Sequence, residues 1–300
     1  MAVPAPPAPV RAHRGTILLE DAIVVSVAQH AGEQCVMRVH CPPIAARAEP
    51  GCFVHLRCAP HLPMRRPMSV MRVSARDGWL DMLFKVHGQG TAALAARQEG
   101  ERLSVLGPIG RPFKRAGYRT RPLLIGGGVG IPPMIFLAEH LRACGEKLTP
   151  LVLMGSEVPF PFRARPSRIM VEGLPANVIA AMPLLDDWGI ASRLSSLAGH
   201  AGCFHGYVTD LARHYLDSAG AARDEIEIFA CGPTPMLRAV AALARDYSVP
   251  AEISLEEYMA CAVGGCAGCT VRVQTPAGPA MKRVCVDGPV FDSAQVVFPD

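Results

Sequence analysis

A chain of 300 residues exceeds what one small hydrophobic core supports and points to two or three domains. With 30 Lys and Arg against 26 Asp and Glu the net charge is +4, and no basic run concentrates it, which excludes the electrostatic footprint of a nucleic-acid-binding protein. Half of the residues are hydrophobic, and eleven cysteines, an odd number in so long a chain, fit free thiols in a reducing compartment better than a disulfide framework.

The chain opens on "MAVPAPPAPVRAHRG", which is proline-rich and has no apolar core of the kind a secretory signal needs. Residues 1–14 are expected to be a disordered tail. The most apolar window, Pro122 to Ala138, is broken by Gly and Pro, so no spanning helix is expected and the protein is read as cytoplasmic. From Gly15 to about Lys114 short Val-rich runs follow one another: "AIVVSVAQ", "QCVMRVHC", "CFVHLRC", "SVMRVSA" and "WLDMLFKVH". Gly, Pro and Asp separate them at short intervals, which predicts a β barrel or sandwich over residues 15–116.

The pattern changes over residues 117–250. "PLLIGGG" is a strand closed by glycines, "IPPMIFLAEHLRACG" a helix with a Gly stop, and "LTPLVLMGS" a strand. "ANVIAAM" and "EIEIFACG" read as further strands, and "TPMLRAVAALARDYSV" as a helix with Pro near its start. Strands alternating with helices predict a doubly wound parallel sheet. Residues 251–300 carry four of the eleven cysteines and no long helix, so this piece is expected to be held by something other than a core.

Those four cysteines are spaced Cys261-x4-Cys266-x2-Cys269, then fifteen residues, then Cys285. This is the plant-type [2Fe–2S] spacing. A loop wrapping a cluster aims its backbone N–H groups at the sulfurs, and bulky side chains would block it. Gly264, Gly265 and Gly268 permit positive φ, while Ala262 and Ala267 keep the wall thin. Zinc, a disulfide or buried thiols are the alternatives. Zinc sites pair their ligands more evenly, and here the distant cysteine stands alone. Cys35, Cys41, Cys52 and Cys58 lie on or beside apolar β segments and read as core. No histidine pair has ligand spacing, and no histidine is given a role.

"LLIGGGVGIPPM" places Gly126, Gly127, Gly128 and Gly130 between a strand and a helix, where backbone N–H groups can meet a diphosphate. It departs from G-x-G-x-x-G, and a plain strand–helix turn remains an alternative. "FACGPTPML" ends another strand and puts Cys231 at the same crevice. In the β region, Arg66-Pro67-Met68-Ser69 reads as an edge or strand start, and "KVHGQGT" as a glycine turn suited to a helix start or a phosphate.

In this order, with "LGPIGRPF" between them and the cysteine cluster last, these pieces resemble the ferredoxin–NADP reductase superfamily of flavoproteins. "SLEEYMACAVGGCAGC" and "MKRVCVDGPVF" resemble more closely the electron-transfer subunits of B-type dihydroorotate dehydrogenases. The resemblance implies a flavin-binding β-barrel domain, a doubly wound parallel-sheet nicotinamide domain and a small C-terminal [2Fe–2S] subdomain. Arg66, Pro67, Met68 and Ser69 would hold FAD. Leu83, Phe84 and Lys85 would line the flavin, and Gly90 and Thr91 would meet its phosphates. Gly126, Gly127, Gly128 and Gly130 would cradle NAD, and Cys231, Gly232 and Pro233 would flank the nicotinamide, with Cys231 as the catalytic residue. Cys261, Cys266, Cys269 and Cys285 would ligate the cluster. Two departures stand out: Met68 where relatives often carry an aromatic residue or Ile, and "AVGG" in the cluster loop.

A nicotinamide moves two electrons together and an iron–sulfur cluster one, so a flavin must stand between them. The resemblance implies a partner subunit with FMN that oxidises dihydroorotate, and a cluster near the partner surface with an apolar exterior. NAD is read over NADP because Glu157 follows the second strand of the sheet, although Arg163, Arg165 and Arg168 are near enough in sequence to meet a 2′-phosphate. Subunits of sulfide dehydrogenases, hydrogenases and ferredoxin transhydrogenases are alternatives of similar build.

Overall fold

The computed structural model describes residues 15–114, 117–145 and 147–299; the expected tail over residues 1–14 lies outside the described residues. The first unit consists of β1 (Leu18–His30), β2 (Gln34–His40), α1 (Pro42–Ala45), β3 (Phe53–Leu56), β4 (Arg66–Ser74), β5 (Trp79–Lys85), α2 (Gly88–Ala95) and β6 (Arg102–Ile109). Its strands close into a barrel in the order β1-β2-β5-β4-β3-β6, every neighbouring pair antiparallel. Alternate residues of each strand point inward: Val24, Met37, Val54, Leu56, Val70, Met82, Leu103 and Val105 fill the interior. Ile44 of α1 and Leu94 of α2 complete that core.

The second unit contains β7 (Arg121–Gly127), α3 (Ile131–Ala143), β8 (Leu151–Gly155), β9 (Arg165–Pro166), β10 (Ala180–Ala181), α4 (Pro183–Asp187), β11 (Ala191–Ser196), β12 (Phe204–His205), α5 (Val208–Ser218), β13 (Ile226–Cys231) and α6 (Thr234–Asp246). The chain ends with β14 (Ala251–Ser254), β15 (Thr270–Thr275), β16 (Gly278–Arg283) and β17 (Val290–Asp292). One sheet runs β12-β11-β8-β7-β13-β14-β17, parallel except for the last pair. Leu123, Ile125, Leu153 and Ile228 pack against α5 and α6 on one face. Leu124, Val152, Met154 and Phe229 pack against α3 and α4 on the other. This is the expected doubly wound arrangement.

Two readings of the sequence need correction. "ANVIAAM" is no strand of this sheet: only Ala180 and Ala181 are extended, and they pair with β9 apart from it. The sheet strand in that region is β11, whose buried Ser192, Arg193, Ser195 and Ser196 hide it from a search for apolar runs. The terminal segment also has a core. Leu255, Met259, Ala262, Cys269, Val284 and Cys285 join the cluster that holds α5 and α6, and Phe53 and Ile109 of the barrel enter it too. β14 continues the sheet past residue 250, and Ser254 pairs with Val290 of the returning β17.

Barrel and sheet are clasped at two places. Arg72 of β4 donates to Glu139 of α3 at 2.9 Å. On the other side Gln34 donates to the Pro159 carbonyl at 2.6 Å. The linker is tied down by Glu227, which pairs with the Lys114 ammonium and accepts the Arg119 N–H at 2.7 Å. Among the described residues no helix is long and apolar enough to cross a membrane.

Candidate redox site

The flavin residues start from the β3–β4 ladder. Val54 faces Met68 and His55 faces Pro67, while Phe53 faces Ser69. Directly opposed residues share a face. Met68 belongs to the barrel core with Val54, so Pro67 and Ser69 take the outer face. Met68 packs inward, on the face it shares with Arg66, which stands opposite Leu56. Phe84 lies in the barrel core with Cys35 and Met82, while Leu83, also buried, and exposed Lys85 take the other side of β5.

Arg66 crosses to the start of α2. A Cβ on Gly90 would stand 3.1 Å from Arg66 Nε, so glycine lets the guanidinium lie close against the helix N-terminus. Arg66 Nη1 donates to the Met64 and Arg65 carbonyls at 3.2 Å, which fixes its direction. A guanidinium beside free backbone N–H groups suits a diphosphate. Thr91 serves the turn itself: its hydroxyl accepts the His87 N–H at 2.6 Å and donates to the His87 carbonyl at 2.9 Å.

The crevice that the sequence assigns to the nicotinamide lies where the sheet changes direction. β7 and β13 are neighbours, and Cys231 stands opposite Gly126. From here the chain proceeds through β8, β11 and β12 to one side and through β14 to the other, a topological switch point. The two loops touch. A Cβ on Gly130 would come within 2.3 Å of the Cys231 carbonyl oxygen, and one on Gly127 within 2.5 Å of Met236 Sδ. Gly128 differs: its φ is +54 and its missing Cβ would meet open space. Gly232 packs against Met236, and Pro233 precedes α6 in the open.

Cys231 is 1% exposed. Burial, then the carboxylate of Glu256, holds its thiol protonated, against a hydrogen bond to Ser254. It forms part of the floor of the crevice. Glu256 itself is open to solvent, yet surrounded closely enough that desolvation raises its carboxyl, as expected for a group in a cleft. Beyond β8, Arg168 pairs with Asp186 and Asp187 at 3.0 Å each, and Arg165 pairs with the same two carboxylates. Glu157 is exposed at the end of β8.

The four cysteines sit on the excursion between β14 and β17. Cys269 and Cys285 face one another with sulfurs 3.3 Å apart. Cys261 and Cys266 form the other pair, the Cys266 N–H donating to Cys261 Sγ at 3.4 Å. Burial would raise the Cys261 thiol, but the N–H groups of Val263, Cys266 and Gly265 bring it down to about 7. Burial and the neighbouring Cys269 push Cys285 up to about 12. Positive φ falls on Ala262, Ala267 and Gly264 and not on Gly265 or Gly268. At Gly268 a Cβ would lie 3.6 Å from Cys266 Sγ, an ordinary contact, and the Gly268 N–H donates to that sulfur at 3.4 Å. Among the described residues no three His, Cys, Asp or Glu side chains are placed around one metal ion. Two pairs of thiols, with N–H groups aimed at sulfur, fit a two-iron cluster with two thiolates on each iron. A cavity of about 760 Å³ lies between Val263, Cys285 and Val286 on one side and Arg47, Glu49 and Arg111 of the barrel rim on the other.

The sequence gives no signal for two buried polar groups. Ser195 Oγ, at the carboxyl end of β11, has no partner, and neither ring nitrogen of His55 has one. Both come to light only when the strands are paired.

Comparison with known proteins gives the family and the fold. The iron-sulfur cluster binding domain of dihydroorotate dehydrogenase B matches residues 256–297. The electron transfer subunit of dihydroorotate dehydrogenase B (NAD(+)) from Desulforamulus reducens is 34% identical over 281 residues, covering 93% of this chain and 98% of that protein. Its counterpart from Bacillus cereus (strain 03BB102) is 34% identical over 255 residues, covering 83% of this chain and 87% of the relative. Among solved structures, an NADH-dependent reduced ferredoxin-NADP oxidoreductase superposes with a TM-score of 0.72 at 26% identity, covering 92% of this chain and 89% of its own. The ferredoxin reductase in carbazole 1,9a-dioxygenase shares the fold, with a TM-score of 0.59 at 21% identity over 78% of this chain and 67% of its own. The chain thus belongs to the family of dihydroorotate dehydrogenase B electron transfer subunits.

Proposed function

We propose that this chain carries electrons from an FMN-containing catalytic subunit, which oxidises dihydroorotate to orotate in pyrimidine biosynthesis, through its own [2Fe–2S] cluster and FAD to NAD. The observation that carries the reading is the joining of three seats in one fold. The Arg66–Gly90 corner lies on the barrel, the Gly128 opening follows β7 beside β13, and the paired cysteines lie on the excursion that leaves β14, the neighbour of β13. FAD, when bound, converts between two-electron and one-electron carriers.

This chain's own groups supply placement. Arg66 and the first N–H groups of α2 hold the flavin diphosphate, and Pro67, Ser69 and Lys85 present the outer barrel face to the ring; Leu83, on the same side of β5 as Lys85, is buried. Gly126, Gly127 and Gly130 let two loops close on one another, while Gly128 leaves the approach for the nicotinamide dinucleotide. Cys231, as a neutral thiol, and Gly232-Pro233 wall the crevice and keep water from it. Cys261, Cys266, Cys269 and Cys285 bind the cluster as thiolates. We divide the chain at 15–116 for FAD, 117–250 for NAD and 251–300 for the cluster, and place the protein in the cytoplasm, where thiols stay reduced. Tyr258, Val263 and Met281 are 94%, 50% and 62% exposed beside the cluster residues and give the partner an apolar surface to dock on.

The deciding experiment is co-purification with the catalytic subunit under anaerobic conditions. Iron, acid-labile sulfide and FAD are measured, followed by dihydroorotate-dependent reduction of NAD. Two irons, two sulfides and one FAD per chain, with NADH formed only by the complex, are expected. Zinc without sulfide, or NADH formation that ignores dihydroorotate, sinks the reading. The likeness to the reduced ferredoxin-NADP oxidoreductase supports a second reading, and reduced ferredoxin offered in place of dihydroorotate separates the two.

A further inference from the structure

The four cysteines are held unequally. Cys269 and Cys285 are buried, and the Val284 N–H donates to the Cys269 carbonyl at 2.9 Å, next to the Thr270–Arg283 pair that ends the β15–β16 ladder. Cys261 is half-buried and Cys266 exposed, and the loop between them takes positive φ at Ala262 and Gly264. Arg283, the last residue of β16, reaches that loop from the buried side: its Nη1 donates to the Gly264 carbonyl at 2.9 Å. The approach is close, since a Cβ on Gly264 would stand 2.6 Å from Val286 Cγ2 and 3.3 Å from Arg283 Nη1. Asp287 braces the arginine. Its carboxylate accepts the Arg283 N–H at 2.9 Å and lies 3.8 Å from Nε, and its own N–H donates to the Arg283 carbonyl at 2.7 Å. With the arginine side chain 40% exposed, such an ion pair adds little to folding stability. What it does fix is a direction. The Gly264–Gly265 peptide is trans and planar, so a carbonyl drawn to the guanidinium turns the Gly265 N–H the opposite way. The next N–H, that of Cys266, donates to Cys261 Sγ at 3.4 Å.

We propose that Arg283 is a positioning residue for the cluster: through the Gly264 carbonyl it holds the loop between Cys261 and Cys266 in the shape that presents its N–H groups to sulfur, and so raises the reduction potential of the cluster. The inference rests on the [2Fe–2S] assignment above. Reduction adds one negative charge, and hydrogen bonds to the sulfurs favour the form that carries it. Lys282, 4.0 Å from Asp287, and Arg283 together leave one positive charge in excess of that carboxylate, which acts in the same sense. A loop released from Arg283 keeps its two thiols but no longer holds its amides in place.

The test uses the complete, cofactor-loaded chain in complex with its catalytic subunit, as wild type, Arg283→Met, Arg283→Lys and Lys282→Met. Iron and acid-labile sulfide are counted first; a wild type without them refutes the cluster assignment and is distinguishable from failure here. EPR of the reduced cluster is then followed through a potentiometric titration, and bleaching of the oxidised cluster in excess EDTA gives its rate of release. At a fixed potential, Arg283→Met should show a ratio of reduced to oxidised cluster about tenfold below wild type, which is 59 mV for one electron. Its EPR line shape should change and its cluster should be released at least about fivefold faster, with the melting temperature unmoved. Lys282→Met removes an equal charge and leaves the Gly264 clamp whole, so its ratio should fall by no more than about threefold and its release and line shape should match wild type. Arg283→Lys keeps the charge, but its ammonium ends about one bond short of Nη1. It should lower the ratio and speed release in the direction of Arg283→Met, and it carries the same comparison where Arg283→Met assembles no cluster. An Arg283→Lys indistinguishable from wild type overturns the proposal, since charge alone would then suffice. So does a Lys282→Met that matches Arg283→Met, or an Arg283→Met with wild-type potential and release.

Discussion

Gly130 illustrates how narrowly single residues are constrained in this molecule. Its missing Cβ would lie 2.3 Å from a carbonyl oxygen of the other crevice loop, and backbone cannot swing aside as a flexible side chain can. Gly130→Ala should cost about 1–3 kcal/mol in denaturant unfolding and raise KM for NAD, since both loops must part. Arg66 is constrained by what it serves. Charge-assisted hydrogen bonds contribute roughly 1.5–3 kcal/mol, so Arg66→Ala should weaken FAD binding about 10- to 100-fold when apoprotein is titrated with flavin. His55 adds a pH dependence. Burial first, and then the positive Arg65, lower its imidazole from 6.5 to about 4. The unfolded chain then takes up a proton that the folded protein refuses, so stability falls as pH drops through 6.5 and the loss is complete below about 4. That difference amounts to about 3 kcal/mol. Urea unfolding between pH 7 and pH 4.5 should show the slope in wild type and a flatter one in His55→Met; parallel curves would refute it.

Among elements, the segment after β8 bears on the choice of coenzyme. Of the three arginines that the sequence left as candidates for a 2′-phosphate, Arg165 and Arg168 are occupied by Asp186 and Asp187 of α4, and Arg163 is exposed. The exposed Glu157 carboxylate, just past the strand end, would repel a phosphate there. NADH should be used in preference to NADPH, and Glu157→Gln should narrow the ratio of kcat/KM by about tenfold, the size expected for one partly screened like-charge contact. Equal use of both coenzymes by wild type would count against this account. The ion pairs depend on α4, more than a dozen positions downstream, and no local pattern announces them. What was legible in the sequence was local: Val-rich runs gave five barrel strands, Gly126–Gly130 a strand–helix turn, and the cysteine spacing its loop. What was hidden needed a partner across the fold. β11 is a central strand made of buried serines and an arginine. Met68 and Phe84 face inward because of which strands pair beside them. The positive φ angles settle on Ala262 and Ala267 because the loop closes around sulfur.

The whole molecule is organised around shared boundaries. One hydrophobic core takes residues from barrel, sheet and terminal segment, and β14 and β17 bind that segment to the sheet. Removing residues 290–300 should therefore do more than disturb the cluster. It strips the sheet of an edge and exposes β14, so melting temperature and NAD affinity should fall together with sulfide content. Loss of sulfide alone would show the sheet indifferent to its last strand. The pairing of Ser254 with Val290 has a further consequence. The chain leaves on the single-electron carrier's path and returns beside its own point of departure, so residues 255–289 are a detachable module in the topological sense. Bridging the two strands with a tight turn also takes Leu255, Met259, Ala262, Cys269, Val284 and Cys285 out of the shared core, so a two-cofactor diaphorase made this way should still reduce a soluble dye with NADH but melt at a lower temperature than the full chain.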